Sequence, residues 1–142
     1  MCCFEYSKAS RVVDICTRCN TNTTNKRWGT IEENGVGKFA DFTPKALNEI
    51  KDMGVSHIWY TGVLHHAMAE DYTQFGISLD DPDVIKGRAG SPYAIKDYYS
   101  VNPDLANNPA KRIEEFEALI KRSHAAGLKV IIDIVPNHVA RN

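Results

Sequence analysis

The chain has 142 residues, 43% of them hydrophobic and 25% charged, with a formal net charge of -1. That is enough apolar material for about one ordinary domain, and it excludes a chain disordered throughout. A charge this close to zero gives no reason to invoke a nucleic acid or an anionic membrane surface, and no apolar run approaches the roughly 20 residues that span a bilayer.

The opening MCCFEYSKAS has no apolar core of signal-peptide length and assigns no compartment. All four cysteines lie early, at Cys2, Cys3, Cys16 and Cys19. Cys16 and Cys19 have CxxC spacing, but the adjacent pair Cys2–Cys3 is poor geometry for completing a tetrahedral metal site. No helical period follows Cys19, as a thioredoxin-like motif requires, so these read as incidental thiols. Val12 to Cys16 is a candidate strand. The Asn/Thr run from Asn20 to Asn25 reads as a loop, and its sequon at Asn22 is of a kind common by chance.

Thr43 then offers an N-cap, with Pro44 at the first helical position. Leu47, Ile50 and Met53 predict an apolar helix face, and Gly54 its end. Val55 to Tyr60, rich in branched and aromatic residues, predicts a strand. From Thr61 to Asn107 the chain is punctuated by Gly62, Gly76, Pro82, Gly87, Gly90, Pro92 and Pro103 and predicts an irregular stretch. Its aromatics (Tyr72, Phe75, Tyr93, Tyr98 and Tyr99) argue for an ordered, ligand-facing loop over a disordered one. Asn108 and Pro109 start a second helix with Ile113, Phe116, Leu119 and Ile120 as its buried stripe. Its acids are early and its bases late, as the helix dipole prefers. After Gly127, Leu128 to Ile134 is an apolar run that predicts a parallel strand covered on both faces. The order is βαβαβ, compatible with a doubly wound sheet or a (β/α)8 barrel. In either, ligands gather at the C-terminal strand ends.

Asp133, Asn137 and His138 sit at such an end. They can supply oxygens for a hard cation or a sugar hydroxyl and an imidazole as donor, or they can simply be turn and surface polarity. His65 and His66 are adjacent, and neighbours on an extended chain point opposite ways, which disfavours a shared metal. His57 falls mid-strand. Tyr93, Tyr98 and Tyr99 present flat faces suited to sugar rings, with core packing as the competing use. Glu32-Glu33 and Asp80-Asp81-Pro82-Asp83 read first as solvated acids. No phosphate-binding glycine loop and no GxSxG nucleophile motif is present.

Three segments, in order, carry a family likeness. Gly54-Val-Ser-His-Ile-Trp59 enters the second strand, Ser91 to Asn102 places Tyr93 four residues before Asp97, and Asp133-Ile-Val-Pro-Asn137-His138 closes the last strand. Together they resemble the alpha-amylase family of glycoside hydrolases over about residues 27–142. Residues 1–26 depart from that pattern and are expected to form an atypical N-terminal segment.

The resemblance implies an α/β fold, a partial (β/α)8 TIM barrel of the first three strands and two helices. It implies α-linked glucans or maltooligosaccharides as partner. Tyr93 matches the tyrosine that stacks on the sugar beside the scissile bond, and His138 the histidine that hydrogen-bonds that sugar. Asp133 matches an aspartate that supports the site. Asn137 matches a ligand of calcium, the cofactor of the calcium-binding members. The family's nucleophile, acid/base and third acid come from later strands, so the expectation is a chain without catalytic carboxylates. Two other readings stay beside it: a non-catalytic glucan-binding module, and a metal hydrolase using Asp133, His138 and His65.

Overall fold

The computed structural model describes residues 11–19 and 30–141. The sequon at Asn22 and the Cys2–Cys3 pair lie outside the described residues. In chain order the elements are β1 (Val12–Cys16), a one-turn helix α1 (Ile31–Asn34), α2 (Pro44–Asp52), β2 (His57–Thr61), β3 (Leu64–His66), β4 (Ile95–Val101), α3 (Arg112–Ala125) and β5 (Lys129–Ile132).

Strands β1, β2 and β5 form a parallel sheet in the order β1-β2-β5. Tyr60 lies between Ile15 and Ile132 in register. Alternation divides the faces. Val13, Ile15, Ile58 and Tyr60 are buried against the helices, while Asp14, Cys16, Trp59 and Thr61 face the other way and are only partly covered. The expectation that the last strand is covered on both faces is not met. β5 is shorter than the apolar run, Lys129 is exposed, and Val130 to Ile132 are each half-buried. Among the described residues β5 is an edge strand, paired with β2 alone.

Both helices start as the sequence predicts. Thr43 Oγ1 accepts from the Ala46 N–H at 3.2 Å, with Pro44 leading α2. Asn108 Oδ1 accepts from the Ala110 N–H at 3.0 Å, and Pro109 opens a 3-10 turn that runs into α3. Glu115 reaches back to accept from the N–H groups of Asn107 and Asn108, each at 2.8 Å. The buried stripes are narrower than predicted. Met53 follows the last turn of α2 and is exposed, and Ile113 at the start of α3 is exposed too.

Leu47, Phe116 and Leu119 join the strand residues in one core. Phe39 packs on Phe116 with ring centres 5.2 Å apart, and Phe42 meets Tyr60 edge-on at 5.1 Å. The Tyr60 hydroxyl is buried with the ring, 2.8 Å from Ser123 Oγ, which in turn donates to Leu119 O at 2.9 Å. Burial pushes the phenol's pKa up to about 12, so it stays a donor. Arg122 covers this corner by donating to Phe39 O and Phe42 O.

The largest departure from expectation is the stretch from Thr61 to Asn107. It holds an antiparallel ribbon, β3 with β4, in which His66 stands opposite Ile95 and His65 opposite Asp97. The register shifts on both sides of His65, so the alternation that would announce a strand is broken.

The core predicts a graded response to truncation. Leu119→Ala should cost about 3 kcal/mol in urea unfolding, Tyr60→Phe about 1 kcal/mol through the lost hydrogen bond, and Ile113→Ala less than either. An Ile113→Ala cost equal to that of Leu119→Ala would contradict this packing.

Candidate functional site

The C-terminal ends of the parallel strands carry the candidate residues. Tyr93 and His138 line one pocket of about 400 Å³, together with Ala67, Asp83, Lys86 and Arg141. Tyr93 is 47% exposed, leaving its ring available to a ligand. Its other side borders a smaller cavity of about 210 Å³ lined by Cys16, Arg18, Thr61 and His66, at the ends of β1 and β2. Asp133 follows β5 directly and is half-buried, and Asn137 is exposed in the turn beyond it. Neither lines the pocket shared by Tyr93 and His138.

The ribbon holds both walls of that pocket. On one side the Ala67 N–H donates to Ala94 O at 2.9 Å, next to Tyr93. His66 is buried with Nε2 3.0 Å from Ala89 O, Nδ1 3.1 Å from Leu64 O, and the Asn102 amide nitrogen 3.1 Å from Nε2. Burial pushes its pKa below the ordinary imidazole value, against the pull of the two carbonyls. Gly90 (φ +64°) lies so close to the chain that a methyl group there would sit 1.8 Å from Ala67 O. On the other side, the Tyr98 hydroxyl lies 2.7 Å from Val135 O and 3.2 Å from His138 O. The Ala140 N–H donates to Ile95 O at 2.8 Å.

Beneath these loops lies a charged layer that sequence reasoning did not single out. Asp104 is 2% exposed. It accepts from Arg18 Nη1 at 2.8 Å and from the Tyr72 hydroxyl, while Lys38 Nζ donates to its backbone carbonyl at 2.5 Å. Burial works against the charged carboxylate, but the hydrogen bonds from Tyr72 and Arg18 outweigh it and hold the pKa below the ordinary range. Asn102, fully buried, accepts from the Asp104 N–H at 2.9 Å and links this layer to His66. Arg18 pairs with a residue 86 positions away, which no local pattern announces.

Other candidates resolve as structural. Asp80 ties two strands' ends together, one oxygen 2.6 Å from Lys96 Nζ and the other accepting from the Met68 N–H. Asp81 accepts from the Asp83 N–H. Tyr99 is 95% exposed and Tyr98 half-buried, so neither takes up the competing use of packing in the core. His65 is buried at 5% exposure. Burial, with Lys96 and Arg112 nearby, pushes its pKa down to about 4. Among the described residues no group of three or more His, Cys, Asp or Glu is placed to hold a metal, so Asp133, His138 and His65 form no metal centre. Calcium takes six to eight oxygens. Asn137, exposed and, among the described residues, beside no such acid cluster, does not supply that set.

A family model described as "Alpha amylase, catalytic domain" matches residues 18–142. The chain belongs to the alpha-amylase family. It is 32% identical over 117 residues to Pullulanase A of Streptococcus pneumoniae, covering 74% of this chain and 8% of that protein. It is 26% identical over 107 residues to the 1,4-alpha-glucan-branching enzyme of Eremothecium gossypii, covering 75% of this chain and 12% of that one. Among solved structures, the trehalose-6-phosphate hydrolase of Bacillus licheniformis superposes with a TM-score of 0.57 at 26% identity, over 90% of this chain and 17% of that one. This alpha-amylase-family chain therefore spans about a tenth of the length of those curated relatives. The solved neighbours are TIM-barrel enzymes, in keeping with the α/β class and the parallel sheet.

The buried histidines predict an acid-labile fold. The unfolded chain protonates His65 near pH 6.5, whereas the folded chain resists protonation until about pH 4. Stability present above pH 6.5 is thus lost as the pH falls toward 4. Urea midpoints measured across that window should drop, and His65→Gln should remove part of the slope. An unchanged slope in that variant would contradict the assignment.

Proposed function

We propose that the chain supplies the sugar-positioning part of an alpha-amylase-type glycoside hydrolase acting on α-linked glucans such as starch and maltooligosaccharides. The observation that carries this reading is the pocket shared by Tyr93 and His138. A flat ring offers its face to the C–H face of a sugar, and an imidazole across from it offers a donor to a hydroxyl. The names of the relatives, a pullulanase and an alpha-glucan-branching enzyme, support the substrate class. In this reading β1, β2 and β5 are the first three of the catalytic barrel's eight strands, so its N-terminal part reaches back from residues 27–142 to include Val12–Cys16.

Retaining glycosidases use two carboxyl groups about 5 Å apart, one as nucleophile and one as acid/base. Among the described residues, the pocket around Tyr93 and His138 has a single acidic lining residue, Asp83. The reading therefore places the bond-breaking carboxylates of the full-length parent outside this chain, and gives Asp133 a supporting role at the end of β5. Asn137 would join a calcium site only with ligands from elsewhere in that parent.

Two measurements test this. Calorimetric titration with maltoheptaose should show binding that weakens about tenfold or more in Tyr93→Ala and in His138→Ala. No heat at millimolar sugar would remove the sugar-site reading. Incubation of the chain with maltoheptaose should release no shorter sugars. Turnover above a no-enzyme control that disappears in His138→Ala would overturn the placement of the catalytic carboxylates.

A further inference from the structure

We infer that Tyr98 is a positioning residue for the sugar site, acting through the backbone of the loop that carries His138; this rests on the sugar-site reading above. The segment after β5 has no regular structure of its own from Asp133 to Arg141. Among the described residues, its hydrogen bonds to the rest of the chain come from two places on β4. One is the Tyr98 hydroxyl, within reach of both Val135 O and His138 O. The other is Ile95 O, which accepts from the Ala140 N–H.

The geometry makes the hydroxyl a strap. A phenol has one proton. Shared between carbonyls at 2.7 and 3.2 Å, it closes the Val135-to-His138 turn into a fixed curve. The tyrosine is itself held, because β4 is paired with β3 through His65 opposite Asp97 and His66 opposite Ile95. The same pairing continues to Ala94, beside Tyr93. One rigid ribbon thus sets the Tyr93 ring and, through Tyr98, the His138 backbone. The neighbouring Tyr99 is 95% exposed and serves as an internal control.

Tyr98→Phe removes the strap and keeps the ring. Maltoheptaose affinity should fall about tenfold, while Tyr99→Phe leaves it unchanged. Because Tyr98 acts through His138, Tyr98→Phe in a His138→Ala background should add almost nothing. Amide hydrogen exchange at Val135 to Ala140 should accelerate at least about tenfold, while exchange in α3 stays as it was. Unchanged affinity with unchanged loop exchange overturns the strap. An additive double variant overturns the route through His138. A chain that takes no maltoheptaose in any form overturns the sugar-site reading instead, and the exchange measurement, which needs no sugar, then decides the strap separately.

Discussion

A carboxylate taken out of water must find charge and hydrogen bonds or give up its proton. Asp104 meets that demand by drawing on distant parts of the chain, Arg18 just after β1 and Tyr72 in the long excursion after β3, while Lys38 between α1 and α2 binds its backbone carbonyl. Removing Arg18 or Tyr72 leaves a buried carboxylate partly uncompensated, so their segments are coupled. The loops at the C-terminal strand ends are therefore a tied layer, and the pocket walls rest on it.

On that layer the ribbon converts sheet geometry into site geometry. Parallel strands deliver residues to one end of the sheet but do not set how far apart the following loops stand. Here the distance between the wall bearing Tyr93 and the wall bearing His138 is spanned by β4, a single extended segment. Extended backbone stretches little, which suits a pocket meant to grip a rigid ring.

Much of the fold was legible because its signals are local. Thr43-Pro44 and Asn108-Pro109 announce helix starts whatever else the chain does, and both hold. Of the three parallel strands, β2 and β5 show as apolar runs after Gly54 and Gly127, and β1 as the short run from Val12 to Cys16. The ribbon did not, because its register shifts around His65 destroy the period of two that identifies a strand. Of the candidate site residues, Tyr93 and His138 do meet in one pocket, whereas Asp133 and Asn137 stay outside it. Arg18 and Asp104 carried no signal at all, and Tyr98 none for the contact it makes. Their importance lies in partners 32 to 86 positions away, a property of the folded chain and not of any short stretch. Tyr98 in particular looked like one more aromatic among several.

Gly90 bears on how such a pocket can diversify. With Ala67 O 1.8 Å from where a first side-chain carbon would stand, and with φ at +64°, the position rejects every other amino acid without a backbone shift. Gly90 lines the smaller cavity beside Tyr93, whereas the Asp83–Lys86 rim of the larger pocket is under no such constraint, being exposed at Asp83, Val84 and Lys86. Variation in ligand preference, whether reached by drift or by directed evolution, is thereby channelled to the rim. The close approach at Gly90 stays fixed, so the aromatic platform can be inherited intact while its surroundings are rewritten.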